Sequence, residues 1–268
     1  MTDPGRRSAF VARARTRREL RGETRFRYAA RVPWEHHVQG YVDNRGEWVD
    51  GLSQVWKPGD HVAIFARTDW GKTHLVLHGL APLWPDSYRW LTVDVKGDDY
   101  TLTGWGHAVR GLPPRLLRDR YEEQVWRVML PRGVANLGRN RAACLKALRT
   151  ARNERGWVIH LNEVRALSDS KSPCLDILPD LEELWMRGRP HVTLIAETQR
   201  GAFAPGSMYD QSSHVYVGKF TDLRMRRRLA EIGGDTDNLI RVVGQLQEHE
   251  FAYVRTVDDV MQIVRAPG

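Results

Sequence analysis

The chain has 268 residues, 41% of them hydrophobic, with a formal net charge of +8 and a sequence pI near 9.8. That is enough for one α/β domain with extensions or for two small ones, and the basic balance favours an anionic partner. No apolar run approaches the ~20 residues that cross a bilayer, so no membrane span is expected.

The N-terminus is charged and lacks the apolar stretch of a secretory signal. Cys144 and Cys174 form no disulfide framework and fit a reducing cytosol. His74 and His78 stand four apart but have no Glu between them, so they read as helix surface and not as a metal site.

Residues 1–31 hold ten Arg against Asp3, Glu19 and Glu23, a net of +7 that leaves +1 for the rest of the chain. They read as a basic arm, with a helical pattern from Ser8 to Leu20. Binding nucleic acid, docking on a neighbouring subunit and disorder in isolation are its three readings. Basic residues comprise 35 Arg and 6 Lys, a bias that tracks a GC-rich genome as much as bidentate phosphate contacts. Residues 32–58 form a short β-rich lead-in, in which Gln39–Val42 and Glu47–Val49 flank the turn Asp43-Asn44-Arg45-Gly46. Lys57-Pro58-Gly59-Asp60 punctuates before a third unit, 59–268.

That unit opens with a short apolar run, Val62 to Phe65, a polar loop, then Gly71-Lys72-Thr73 and a segment whose apolar residues can line a helix face from Leu75 to Leu80. Strand, loop, Gly-Lys-Thr and helix are the context of a phosphate-binding loop over Ala66, Arg67, Thr68, Asp69, Trp70, Gly71, Lys72, Thr73 and His74. Backbone N–H groups of such a loop hold phosphate oxygens. Lys72 then reaches the β- and γ-phosphates of ATP, and the Thr73 hydroxyl ligates Mg²⁺. Two residues depart from the usual pattern. Ala66 stands where the first Gly belongs and resists a positive φ, so the loop is expected to enter by another backbone path. Trp70 occupies a position that usually holds a small residue.

Further strands are expected at Tyr88–Val95, Gln124–Leu130, Trp157–Glu163, Val192–Ala196, His214–Gly218, Phe251–Arg255 and Val260–Val264. Helices are expected at Arg139–Arg155, Cys174–Arg187 and Asp222–Ile232, with Gly104–Pro114 irregular. The alternation predicts an α/β fold with a mostly parallel, helix-covered sheet.

Three strand ends carry the chemistry. The first bears the phosphate loop. The second ends in Asn162-Glu163, where an Asp-Glu pair is usual. Asn162 replaces the metal-ordering Asp and accepts from a metal-bound water without bringing charge, while Glu163 activates water. The third ends in Thr198-Gln199-Arg200, where Gln199 can sense the γ-phosphate.

On the phosphate loop, Asp94-Val95-Lys96-Gly97, Asn162-Glu163 and Thr198-Gln199-Arg200, the chain resembles the FtsK–HerA-type P-loop ATPases from about His61 to Arg255. Phe220 to Leu229 and Gly233-Gly234 resemble that clan's later region. The resemblance implies a RecA-like P-loop NTPase core, ATP and Mg²⁺ as cofactors, and double-stranded DNA as partner. It also implies a homo-oligomeric, hexameric ring with an arginine finger supplied in trans, for which Arg187, Arg189 and Arg255 are candidates. A compact member of this clan resembles viral genome-packaging ATPases and the transfer ATPases of mobile elements, with a capsid portal or transfer machinery as partner. A terminase-type motor is a resemblance to weigh, but 268 residues leave little space for its nuclease domain, and Thr198-Gln199-Arg200 points elsewhere.

Two functions are therefore open. One is an ATP-driven DNA motor, cytoplasmic in a bacterial host or virion-associated. The other is a non-hydrolysing assembly or DNA-anchoring module, which the substitutions at Ala66 and Asn162 favour.

Overall fold

The computed structural model describes residues 27–43, 45–84, 87–97, 99–110, 125–130, 133–171, 174–188, 192–229, 232, 236–257 and 260–267. Residues 1–26 of the basic arm and Arg189 lie outside this set.

The described strands are β1 (Arg27–Val32), β2 (Gly40–Val42), β3 (Trp48–Asp50), β4 (His61–Phe65), β5 (Arg89–Asp94), β6 (His107–Val109), β7 (Val125–Met129), β8 (Trp157–Asn162), β9 (Val192–Thr198), β10 (Ser212–Val217), β11 (Glu250–Arg255) and β12 (Val260–Arg265). Ten of them build one sheet, in the order β1-β12-β11-β10-β4-β9-β8-β5-β7-β6. Every neighbouring pair is parallel except the two that β11 makes with β10 and β12. The expected mostly parallel sheet flanked by helices is present. The reason is visible along the strands: β4, β5, β8, β9 and β10 are buried at every position, as strands covered on both faces must be. β2 and β3 form the expected hairpin apart from the large sheet.

After β4 the chain crosses to β5, returns to lay β8 and then β9 between them, and crosses again to place β10 on the far side of β4. Strand β4 is thus the point where the winding reverses. Open α/β sheets bind ligands at the carboxyl ends of strands beside such a point.

Several expectations are corrected. The helix foreseen over Cys174–Arg187 spans Leu178–Arg187. Asp176 takes a positive φ of 54° before it, and Pro179 occupies the first turn, where a missing N–H is harmless. Gly104–Pro114, expected to be irregular, contains the short edge strand β6. The segment after Lys72 is α-helical only to His74 and continues as a π-helix over Leu75–Leu80. Arg27 to Arg31, the last residues of the expected arm, join β1, which pairs with β12. Helices Trp34–Gln39 and Thr236–Gln245 are additional to those expected. In the second, Leu239, Val242 and Val243 are buried at helical spacing.

Candidate nucleotide site

β4 runs through five buried residues into Ala66, whose N–H donates to the Thr198 carbonyl at 3.2 Å. The loop's left-handed residues are Asp69 (φ 58°) and Gly71 (φ 85°); Ala66 is not among them. No glycine is needed at 66, because the positive φ falls later in the loop. The close approach that a glycine allows is met from across the sheet. A Cβ on Gly218 would lie 2.6 Å from the Ala66 Cβ and 2.5 Å from the Trp70 ring.

Trp70 is buried, and its indole N–H donates to the Glu250 carbonyl at 2.7 Å. The Arg67 guanidinium stacks 4.8 Å over its ring. The large residue in this loop is therefore an anchor to the start of β11. His74 donates to the Pro267 carbonyl at 2.6 Å, which ties the loop's helix to the chain beyond β12.

Lys72 is buried and donates to the Arg67 carbonyl at 3.1 Å. Burial pulls its pKa down, against the raising influence of Glu197 and Glu163. The Thr73 hydroxyl donates to the Glu197 carboxylate, at 3.0 and 3.2 Å from its two oxygens. Around Lys72 and Thr73 lies a cleft of ≈ 510 Å³, also lined by Lys96, Asp99, Gln199 and His249. Its size is that of a small-molecule site.

Glu163 follows β8 in a left-handed conformation, φ 69° and ψ 75°. A non-glycine residue holds such a conformation only when its surroundings over-determine it. Here its carboxylate accepts from the Thr198 hydroxyl at 2.7 Å and from the Gln199 N–H at 2.9 Å. Gln199 in turn accepts from the Thr68 hydroxyl at 2.8 Å. The ends of β8 and β9 are thereby clamped to the loop that follows β4.

The amide of Asn162 donates to Asp99 at 3.1 Å, and Lys96 forms an ion pair with the same carboxylate at 2.8 Å. Burial would raise the Asp99 carboxyl, but hydrogen bonds from Lys96, Thr101 and Asn162 outweigh it and hold the group well below the usual carboxylate range. Asp94 at the end of β5 is buried, and burial raises its carboxyl although the Gly97 N–H bonds one of its oxygens at 2.9 Å.

The structure thus brings Ala66 to His74, Glu163 and Gln199 to one end of the sheet, with Asn162 directly before Glu163 at the end of β8. Arg187 is elsewhere. It is exposed at the end of the helix before β9, whereas Gln199 follows the opposite end of that seven-residue strand, roughly 23 Å away at ~3.3 Å per residue. Arg255 is buried and donates to the Asp50 carbonyl. Glu197, His160 and Asp99 belong to the site and were not among the expected residues. A weak local signal exists for the first two, since an acid and a histidine inside otherwise apolar strands are rare without a partner, but it does not name that partner.

No family model matches the sequence, and no curated protein matches it. Sheet order and phosphate loop together give the chain a RecA-like P-loop fold. Among solved structures, the chain is similar to B204, the DNA-packaging ATPase from Sulfolobus turreted icosahedral virus, with a TM-score of 0.60 and 16% identity over 79% of this chain and 100% of that one. It is similar also to the genome-packaging NTPase B204 of Sulfolobus turreted icosahedral virus 2 in complex with AMPPCP, with a TM-score of 0.58 and 16% identity over 79% and 100% of the two chains. A third is the pCW3 conjugation coupling protein TcpA, with a TM-score of 0.53 and 12% identity over 86% of this chain and 66% of that one. At these identities the likeness is one of fold.

Proposed function

We propose that the chain is an ATPase motor that moves double-stranded DNA as a homo-oligomer, in viral genome packaging or in mobile-element DNA transfer. The observation that carries the reading is the clamp on Glu163. A strained carboxylate is held by Thr198 and Gln199, and Gln199 reaches the phosphate loop through Thr68. The packaging and conjugation proteins of the same fold support the choice of DNA as cargo.

In this reading the N–H groups of residues 66–74 hold the phosphates, and Lys72 leaves the Arg67 carbonyl for the β- and γ-phosphate oxygens. Thr73 and the surroundings of Asn162 offer hard oxygen donors and fit Mg²⁺. The ion supplies charge neutralisation at those oxygens. Glu163 orients the attacking water and accepts its proton, and Gln199 reports the γ-phosphate to the loop. Most of the rate enhancement comes from positioning and charge stabilisation. An arginine finger completes the site in trans. Arg187 serves only in that way, given its distance from its own cleft, and Arg189 is the alternative. DNA is gripped by its phosphates, without sequence preference.

The test is ATP hydrolysis by the purified protein with and without double-stranded DNA, alongside its mass in solution. Turnover that rises with DNA in an oligomer supports the motor. No hydrolysis under any DNA or oligomer condition overturns it and leaves the non-hydrolysing module. The role of the arm is read separately. Neutralising arginines within residues 1–31 is expected to flatten the dependence of log affinity on log salt, by ~0.9 for each DNA phosphate that is no longer neutralised. A truncation that keeps the slope but breaks the oligomer would make the arm a docking element.

A further inference from the structure

The register of three adjacent strands places Asp94 of β5 beside Asn162 of β8, and Asn162 beside Glu197 of β9. Directly paired residues of neighbouring strands point to the same face, so the three side chains form one row below the phosphate loop. The middle member is the neutral one. An aspartate at 162 would stand between two carboxylates, and like charges directly opposite are destabilising. Its own amide is already given to a third, Asp99. The row therefore has one strand end at which a metal-ordering acid is tolerated next to the loop, and that end holds Glu197.

We infer that Glu197, and not a residue of β8, is the carboxylate that orders Mg²⁺ in this chain; the inference rests on the nucleotide-site reading above. Two observations converge on it. Thr73, the loop hydroxyl that faces the ion in that reading, donates to both Glu197 oxygens, at 3.0 and 3.2 Å. With its proton directed at Glu197, the hydroxyl turns its lone pairs away from the carboxylate, free to serve a cation. Second, Glu197 is fully buried, yet its only hydrogen bonds among the described residues come from Thr73 and from the His160 Nε2–H at 2.8 Å. A carboxylate only accepts, so His160 carries its proton on Nε2 and takes the Thr92 hydroxyl at Nδ1, 3.4 Å away. Glu197 is thus braced from below and offers its remaining lone pairs towards the loop. The charge that Asn162 lacks has moved one strand nearer the loop, and His160 is its positioning residue.

The test reads metal binding directly. Mn²⁺ is titrated by electron paramagnetic resonance into protein saturated with ATPγS, and ATPγS affinity is measured separately in EDTA. Glu197→Gln is expected to weaken Mn²⁺ roughly 10–100-fold, the usual effect of removing an outer partner of a metal, with ATPγS affinity in EDTA little changed. The exchange Asn162→Asp with Glu197→Gln returns a carboxylate to β8 and is expected to recover part of the loss. His160→Gln keeps the carboxylate and frees its brace, so it weakens Mn²⁺ several-fold, and it serves should Glu197→Gln not fold. A Mn²⁺ titration unchanged in Glu197→Gln, or in His160→Gln where that variant is used, overturns the assignment alone. A wild-type chain that binds no ATPγS overturns the nucleotide reading and this inference together.

Discussion

On the two sides of β4 the sheet buries polar groups in different ways. Towards β10, β11 and β12 the innermost of them pair as neutral partners, while the charged Glu250 and Arg255 stand at the two ends of β11. His37 donates from Nδ1 to Gln262 at 2.6 Å and accepts the Tyr216 hydroxyl at Nε2, 2.9 Å away. His214 and Tyr253 pair at 2.8 Å, and the rings of His37, Tyr216 and Tyr253 pack edge-on or tilted. Towards β9, β8 and β5 the buried groups include the carboxylates Asp94, Glu197 and Asp99, with Lys72 above them. One side uses satisfied polar groups to fix how strands and the short helix Trp34–Gln39 stack. The other confines charge where a phosphate and a cation are to be placed. A buried neutral pair serves packing at modest net gain, whereas a buried charge is retained where something must compensate it.

The largest expected effect separates the two sides by chemistry. Glu163→Gln should cut ATP turnover by ~10²–10⁴, the usual contribution of a positioned base, and leave ATPγS affinity and the melting temperature near wild type. Single-turnover kinetics with equilibrium binding checks it. A large loss of stability instead would place Glu163 with the packing groups.

Acid should expose the packing side. Burial, and secondarily Arg255, lower the His37 pKa to about 4 although Gln262 favours the proton. Above pH 6.5 the ring is neutral both folded and unfolded. As pH falls below 6.5 the unfolded chain takes up a proton that the folded chain refuses until about pH 4. Stability therefore declines across that window, by about 3 kcal/mol in full. Denaturant melts from pH 7 to 4 measure this, and His37→Gln should remove that part of the slope at a fixed cost in stability.

Most of the fold and part of the candidate site were legible in the sequence because each rests on local pattern. The uninterrupted burial of β4, β5, β8 and β9 reads as apolar runs, and Gly71-Lys72-Thr73 reads as a turn into a helix. Glu163 and Gln199 were found at strand ends by order alone. Glu197 was not, because its role depends on the register of β8 against β9 and on Thr73, 124 residues away. The same holds for Ala66: the positive φ at Asp69 and Gly71 and the close approach of Gly218 from the neighbouring strand together explain why the first loop glycine is dispensable. Trp34–Gln39 escapes for a different reason, since six residues with two adjacent histidines show no helical period.

Asn162→Asp sharpens the contrast between charge that is tolerated and charge that is not. Taken alone, the sequence makes this change a repair that lowers the Mg²⁺ requirement. The row Asp94–Asn162–Glu197 predicts the opposite. The variant loses a donor to Asp99 and adds a carboxylate beside two others, at about 2 kcal/mol. Urea unfolding should show an earlier midpoint, with no gain in Mn²⁺ affinity for the ATPγS complex.

The smallest effect tests a residue that joins the two sides. Trp70 belongs to the phosphate loop, yet its indole N–H is bound to the Glu250 carbonyl at the start of β11, and Glu250 is itself paired with Arg31 of β1 at 2.9 Å. Trp70→Phe keeps a large aromatic ring against Gly218 and removes only the donor. The orphaned carbonyl costs about 1 kcal/mol, which a urea midpoint can resolve. Because the loop is then less firmly tied, ATPγS affinity should fall a few-fold, while Mn²⁺ affinity of the saturated complex stays as it was, since Thr73 and Glu197 are untouched. A change in Mn²⁺ affinity as large as that of Glu197→Gln would mean that the packing side and the charged side act as one unit.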